Sequence, residues 1–140
     1  MSQRRERRGD ARMRVKCVDR TIGDVPFKLD VGREYVVLAL EAYAGPASEV
    51  AKSISLPAGL WVFVGLESEY VWAPISCFEV LDAKVSPLWR LGLVRRRWLV
   101  GYPPMLDEAF QTGVERGDEQ FLQQYSEMMR EANDEALLFS

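Results

Sequence analysis

Residues 60–81, LWVFVGLESEYVWAPISCFEVL, decide the fold. Three short apolar runs lie in this stretch: Leu60-Trp61-Val62-Phe63-Val64, Tyr70-Val71-Trp72 and Phe78-Glu79-Val80-Leu81. Polar turn residues separate the first two and Pro74 precedes the third, and β-branched and aromatic side chains dominate all three, so each reads as a strand. Toward the N-terminus, Tyr35-Val36-Val37-Leu38-Ala39-Leu40 is apolar on both faces, as in a central strand. Met13-Arg14-Val15-Lys16-Cys17-Val18 alternates apolar with mostly basic residues, as in a half-buried strand. Gly23, Asp24 and Pro26 mark a turn between these two, and residues 43–59 read as a long irregular connection with room for a short strand around Ile54. Five short strands joined by turns predict a small antiparallel barrel or sandwich.

Beyond Pro87 the pattern changes. Leu91 to Tyr102, LGLVRRRWLVGY, reads as a sixth strand, with Arg95, Arg97 and Leu99 on one face and Arg96, Trp98 and Val100 on the other. Pro103-Pro104 ends it and suits the first turn of a helix over 104–115, in which Leu106, Phe110 and Val114 recur at helical spacing. Asp118 then N-caps a second helix that carries Phe121, Leu122, Tyr125, Met128, Met129 and Ala132 on one face. The expected architecture is α+β in one domain over 13–140: a β-barrel at 13–102 followed by a two-helix layer at 103–135. Residues 1–12 are a basic tail too poor in apolar side chains to order themselves.

The 140 residues are 48% hydrophobic and include four Trp, five Tyr and six Phe, enough for a packed core. No run approaches the roughly 20 apolar residues that span a bilayer, and no signal-peptide apolar region follows the arginine-rich start, so the expected compartment is the cytoplasm. Cys17 and Cys77 lie among apolar neighbours and read as buried thiols. Net charge is −3, but residues 1–20 carry +5 and residues 107–140 carry −7. Such polarity steers encounters without saying anything about fold.

Histidine is absent. His-dependent triads and dyads, His-containing zinc sites and imidazole pH switches are thereby excluded. There is no CxxC pair, no GxGxxG and no GxxxxGK[ST], so neither a metal nor a nucleotide cofactor is expected. Carboxylate chemistry stays open through Glu67 with Glu69 or Asp107 with Glu108, although a hairpin turn and a helix start favour acids without any chemistry.

Three features could carry binding, each beside a plainer reading. Arg95-Arg96-Arg97-Trp98 could grip phosphates, carboxylates or an acidic protein surface, or could be a charge-protected edge strand paired with the chain's own acidic helices. Tyr70, Trp72 and Trp89 could form an exposed aromatic platform, or could fill the core. Arg4, Arg5, Arg7, Arg8, Arg12 and Arg14 could lie on nucleic acid, or could be solvated.

Residues 13–19 (MRVKCVD), 29–38 (LDVGREYVVL) and 70–80 (YVWAPISCFEV) together resemble a class of small bacterial and phage proteins of unassigned role. The resemblance implies a Src-homology-3-like barrel over Met13 to Asp82, with Gly32 turning into the second strand and Pro74 to Phe78 forming a short turn before the closing one. It also implies, by analogy with proteins encoded beside toxins, an immunity-like role. The leading expectation is a non-enzymatic module that binds another protein through the acidic helical face (Asp118, Glu119, Glu127, Glu131) or through the aromatic and arginine surface. The second is a nucleic-acid binder using the basic arm and Arg95 to Arg97, against which a pI near 5.1 speaks. The third is a carboxylate enzyme. No membrane partner is expected, and a homodimer through exposed strand edges is left open.

Overall fold

A computed structural model describes residues 13–22, 25–43 and 59–138. The expected basic tail at 1–12 and the expected short strand around Ile54 fall outside the described residues.

Among the described residues nine strands precede two helices. The long strand β4 (Glu34–Tyr43) organises the sheet because each of its edges is used. Along one edge it pairs antiparallel with β5 (Gly59–Gly65), which pairs with β6 (Tyr70–Pro74). Along the other edge its first residues pair with β1 (Arg14–Cys17), and Ala39 to Glu41 pair with β9 (Arg97–Gly101). The register with β5 shifts between Val37 and Ala39, a bulge located where β4 changes partner from β1 to β9. Two short strands, β2 (Thr21–Ile22) and β3 (Val25–Pro26), form a separate hairpin.

After β6 a 3-10 turn at Ile75–Cys77 redirects the chain, so β7 (Phe78–Asp82) lies beside β1 rather than beside β6. The strand order is β6-β5-β4-β1-β7, with β6 and β7 at the ends and unpaired with each other. The strands thus make an antiparallel sheet that is not closed into a barrel, and with the two helices it gives the expected α+β fold. The expected sixth strand is corrected: residues 90–101 form a hairpin, β8 (Arg90–Val94) against β9, closed by Arg95 and Arg96. Both arginines have positive φ, 50° and 67°, which is a two-residue type I′ turn built without glycine or asparagine.

Pro103–Leu106 is a 3-10 turn rather than the start of a helix. Helix α1 (Glu108–Arg116) begins only where the Asp107 side chain accepts the Ala109 N–H at 2.9 Å. It ends in a Schellman motif, with the Gly117 N–H on the Val114 carbonyl and the Asp118 N–H on the Gly113 carbonyl. Gly117 is left-handed at φ 77°, so the chain reverses tightly into α2 (Glu119–Leu138). The two helices bury Phe110, Val114, Tyr125, Met128 and Ala132 in the same core as Val15, Cys17, Val37, Val62, Val64 and Cys77. The Tyr125 hydroxyl bonds the carbonyls of Leu66 and Glu69, at 2.8 and 2.5 Å, fastening α2 to the β5–β6 turn. Both cysteines are free and buried, and burial pushes the Cys77 thiol up to about 11. Among the described residues no helix is long and apolar enough to cross a membrane.

Candidate functional site

The hairpin β8–β9 collects the chemistry left over from the core. Leu93 pairs with Trp98 and Leu91 with Val100, which puts these four side chains on one face. That face looks outward: Leu91 is 68% exposed, Leu93 57% and Trp98 58%. The opposite face is closed, since Val94 and Leu99 are buried and Gly92 packs beneath Leu106. Singly exposed apolar residues are ordinary, whereas three on adjacent positions of one hairpin make a patch.

The three arginines of the RRRW run divide into different roles. Arg95 turns back onto α1, where its guanidinium bonds Thr112 at 2.8 Å and pairs with Glu115 at 3.3 Å and Glu108 at 3.7 Å. Arg97 turns to the other face and lies 3.1 Å from the Glu41 carboxylate, with its guanidinium 5.4 Å from the Trp72 ring centre. Arg96 is exposed and has no ion-pair or hydrogen-bond partner among the described residues. Hence Arg95 follows the plainer expectation of pairing with the chain's own acidic helix, and Arg96 alone offers a free cation beside Trp98.

Glu41 is the residue that sequence reading missed. Its side chain is fully buried, opposite Trp61 on β5 and Leu99 on β9. The Trp72 indole faces the same carboxylate, yet neither that N–H nor either carboxylate oxygen reaches hydrogen-bond geometry. Burial pushes the Glu41 carboxyl up from its ordinary value, and the Arg97 charge offsets part of that rise. A lone acid after a run of apolar residues looks like a strand end, and only the cross-strand register shows that it points inward.

The expected platform of Tyr70, Trp72 and Trp89 does not assemble. Trp89 is 6% exposed and packs edge-on to Tyr102. Trp72 stacks on Trp61 at 3.9 Å, with Tyr43 edge-on to both rings. Tyr70 is half-buried between Phe63 and Tyr125, and its hydroxyl lies 3.2 Å from Glu115. Each of the three is taken up by the molecule's own packing, which leaves Trp98 as the exposed indole.

The acids named for the helical face lie at the surface. Asp118, Glu119, Glu127 and Glu131 are all exposed and unpaired among the described residues. Three of the four carboxylates considered for catalysis are engaged locally: Glu69 pairs with Lys28 at 2.6 Å, Asp107 caps α1, and Glu108 faces Arg95. Glu67 and Glu69 border a cleft of about 400 Å³ between residues 27–35 and 66–69. Three cations line it, Arg20, Lys28 and Arg33, and the last two are paired with Glu69 and Asp30. Among the described residues no three metal-ligating side chains converge.

Comparison with family models, with curated proteins and with solved structures gives no match. What fold and site define is thus a structural class: an open antiparallel sheet backed by two helices, with an outward apolar hairpin next to a free arginine.

Proposed function

We propose that this chain is a non-enzymatic protein-binding module, of the kind an immunity-like or regulatory inhibitor would be, and that it meets its partner through the outer face of β8–β9. The observation that carries the reading is the cluster Leu91, Leu93 and Trp98 held outward beside Arg96. Tryptophan and arginine on a rigid hairpin are the residue types that dominate interface energetics. We also infer that β1 and β4 to β7 form a small Src-homology-3-like unit, supported by their order and by the 3-10 turn between β6 and β7. Two free thiols suit a reducing cytosol.

The test is capture from the native lysate with the tagged full chain and with Trp98→Ala, each with and without nuclease. One discrete protein retained by the wild type in both treatments is expected, with affinity reduced roughly thirtyfold in the variant, the size of a 2 kcal/mol anchor. Equal retention by the variant would move the site elsewhere, first to Glu127 and Glu131. Signal lost on nuclease treatment would replace a protein partner by nucleic acid stacked on Trp98.

The turn itself offers a separate check. A non-glycine residue at φ 67° costs about 1–2 kcal/mol, and glycine there gives back about 0.7 kcal/mol through its freer unfolded chain. Arg96→Gly should therefore raise the unfolding free energy by about 0.3–1.3 kcal/mol while weakening capture of the partner. A stabilised variant that binds as well as the wild type would remove Arg96 from the interface.

A further inference from the structure

We propose, building on the protein-binding reading above, that β8 recognises its partner by strand addition and that the occupant is an extended segment in which apolar and acidic residues alternate. The sheet has three outer edges among the described residues: β6, β7 and β8. Natural sheets guard such edges with charge or proline. β6 ends in Pro74 and runs into the 3-10 turn, and β7 carries Glu79 and Asp82. β8 reads RLGLV, with its one charge at the first residue and neither an acid nor a proline.

Its geometry suits an added strand. Val94 and Arg97 close the two-residue hairpin as a hydrogen-bonded pair, so alternation leaves the main-chain groups of Leu91 and Leu93 turned away from β9. Their side chains stand on the exposed face with Trp98, and an extended guest would lay every second side chain against them.

Charge selects the guest. Arg90 at one end of β8 bonds only the carbonyls of Pro87 and Trp89, and Arg96 just past the other end is unpaired, so both cations lack a carboxylate among the described residues. Arg90 to Val94 spans roughly 13 Å at about 3.3 Å per residue, so acids at both ends of a segment of five or six residues would meet them. The same charges disfavour a second copy of this chain. Two-fold pairing about Gly92 would set Arg90 of each copy toward the other's turn with its unpaired Arg96, like charge against like.

The test is selection of phage-displayed random twelve-residue peptides on the full chain, followed by amide hydrogen exchange of the complex. Enrichment of peptides alternating apolar and acidic residues is expected. Their binding should slow exchange at Leu91 and Leu93 by about tenfold or more, and Leu93→Lys should abolish it while the circular dichroism spectrum is unchanged. Four outcomes would overturn strand addition. One is enrichment of peptides without acids. Another is binding that depends on Trp98 yet leaves exchange at Leu91 and Leu93 unaltered, and this would keep the protein-binding reading intact. The third is a concentration-dependent dimer, seen by sedimentation, that protects the same amides without any peptide. A selection that enriches nothing would also count against it, whereas failure of the lysate capture would count against the broader reading.

Discussion

Arg97→Ala is expected to lower the unfolding free energy by about 3 kcal/mol at pH 7, because it strands the Glu41 carboxylate in the core. The Glu41 side chain has no exposure at all, and Arg97 is the one cation in contact with it among the described residues. The loss belongs at the lower end of the range for buried charges, since the Arg97 side chain is itself 37% exposed and its charge is partly screened. Glu41 also fixes the sign of the pH dependence. Its carboxyl titrates above the ordinary value in the folded chain, so the folded state holds that proton more tightly than the unfolded state. Stability contributed by the protonated form is complete below the unfolded value and declines as pH rises through the raised one. Without Arg97 the raised value moves higher still, so the deficit of Arg97→Ala should be large at pH 7 and should shrink toward pH 5. Glu41→Gln in the same background should restore most of it, and should flatten the pH slope. Urea unfolding of the two single variants and the double variant at both pH values decides this. An equal loss at both pH values, unrelieved by Glu41→Gln, would mean that Arg97 contributes only packing against Trp72.

That test bears on function because Arg97 belongs to the run from which an interface was expected. Its charge is turned inward on β9, so it supports the hairpin from beneath, and a loss of binding in Arg97→Ala should track the loss of stability. Trp98 and Arg96 should behave in the opposite way, with binding lost at constant or improved stability.

The strands were legible wherever one physical signal dominated. The alternation from Met13 to Val18 and the apolar run through Leu40 fell where β1 and β4 stand, because burial on one face or both is written into the period. The turn at Arg95-Arg96 was not legible: positive φ usually announces itself as glycine or asparagine, and here two arginines adopt it. The length of the run from Leu91 to Tyr102 was the available clue, since strands of twelve residues are uncommon. Pro103-Pro104 marked a boundary correctly, but the helix waited for the Asp107 cap. The exposure of each tryptophan was beyond sequence reading. Four indoles compete for one interior, and only tertiary packing decides that Trp61 and Trp72 stack together across β5 and β6 and Trp89 packs on Tyr102 while Trp98 stays in solvent.

What holds the hairpin on the sheet is a close approach at Gly101, and Gly101→Ala is expected to cost about 3 kcal/mol. Gly101 faces Ala39 on β4 and Arg90 on β8 at once. A Cβ there would lie 2.5 Å from the Leu38 carbonyl oxygen and 2.7 Å from the Ala39 Cα, against main-chain atoms that cannot swing aside. Relief requires β9 to draw away from β4. That movement loosens the three pairings from Ala39 to Glu41, the bond from the Tyr102 N–H to the Leu38 carbonyl at 3.0 Å, and the seat of Arg97 over Glu41. Gly65→Ala is the control: its Cβ would meet chiefly the end of the Met129 side chain, which can change rotamer, with the Tyr125 hydroxyl 3.3 Å away, so a loss of about 1 kcal/mol is expected. Chemical denaturation of both variants, with amide exchange at Tyr102, distinguishes the two situations. If Gly101→Ala proved as mild as Gly65→Ala, and Tyr102 kept its protection, the β4–β9 junction would be more pliable than its packing implies. The hairpin would then no longer count as a rigid platform, and the entropy of ordering it would have to be set against any partner's affinity.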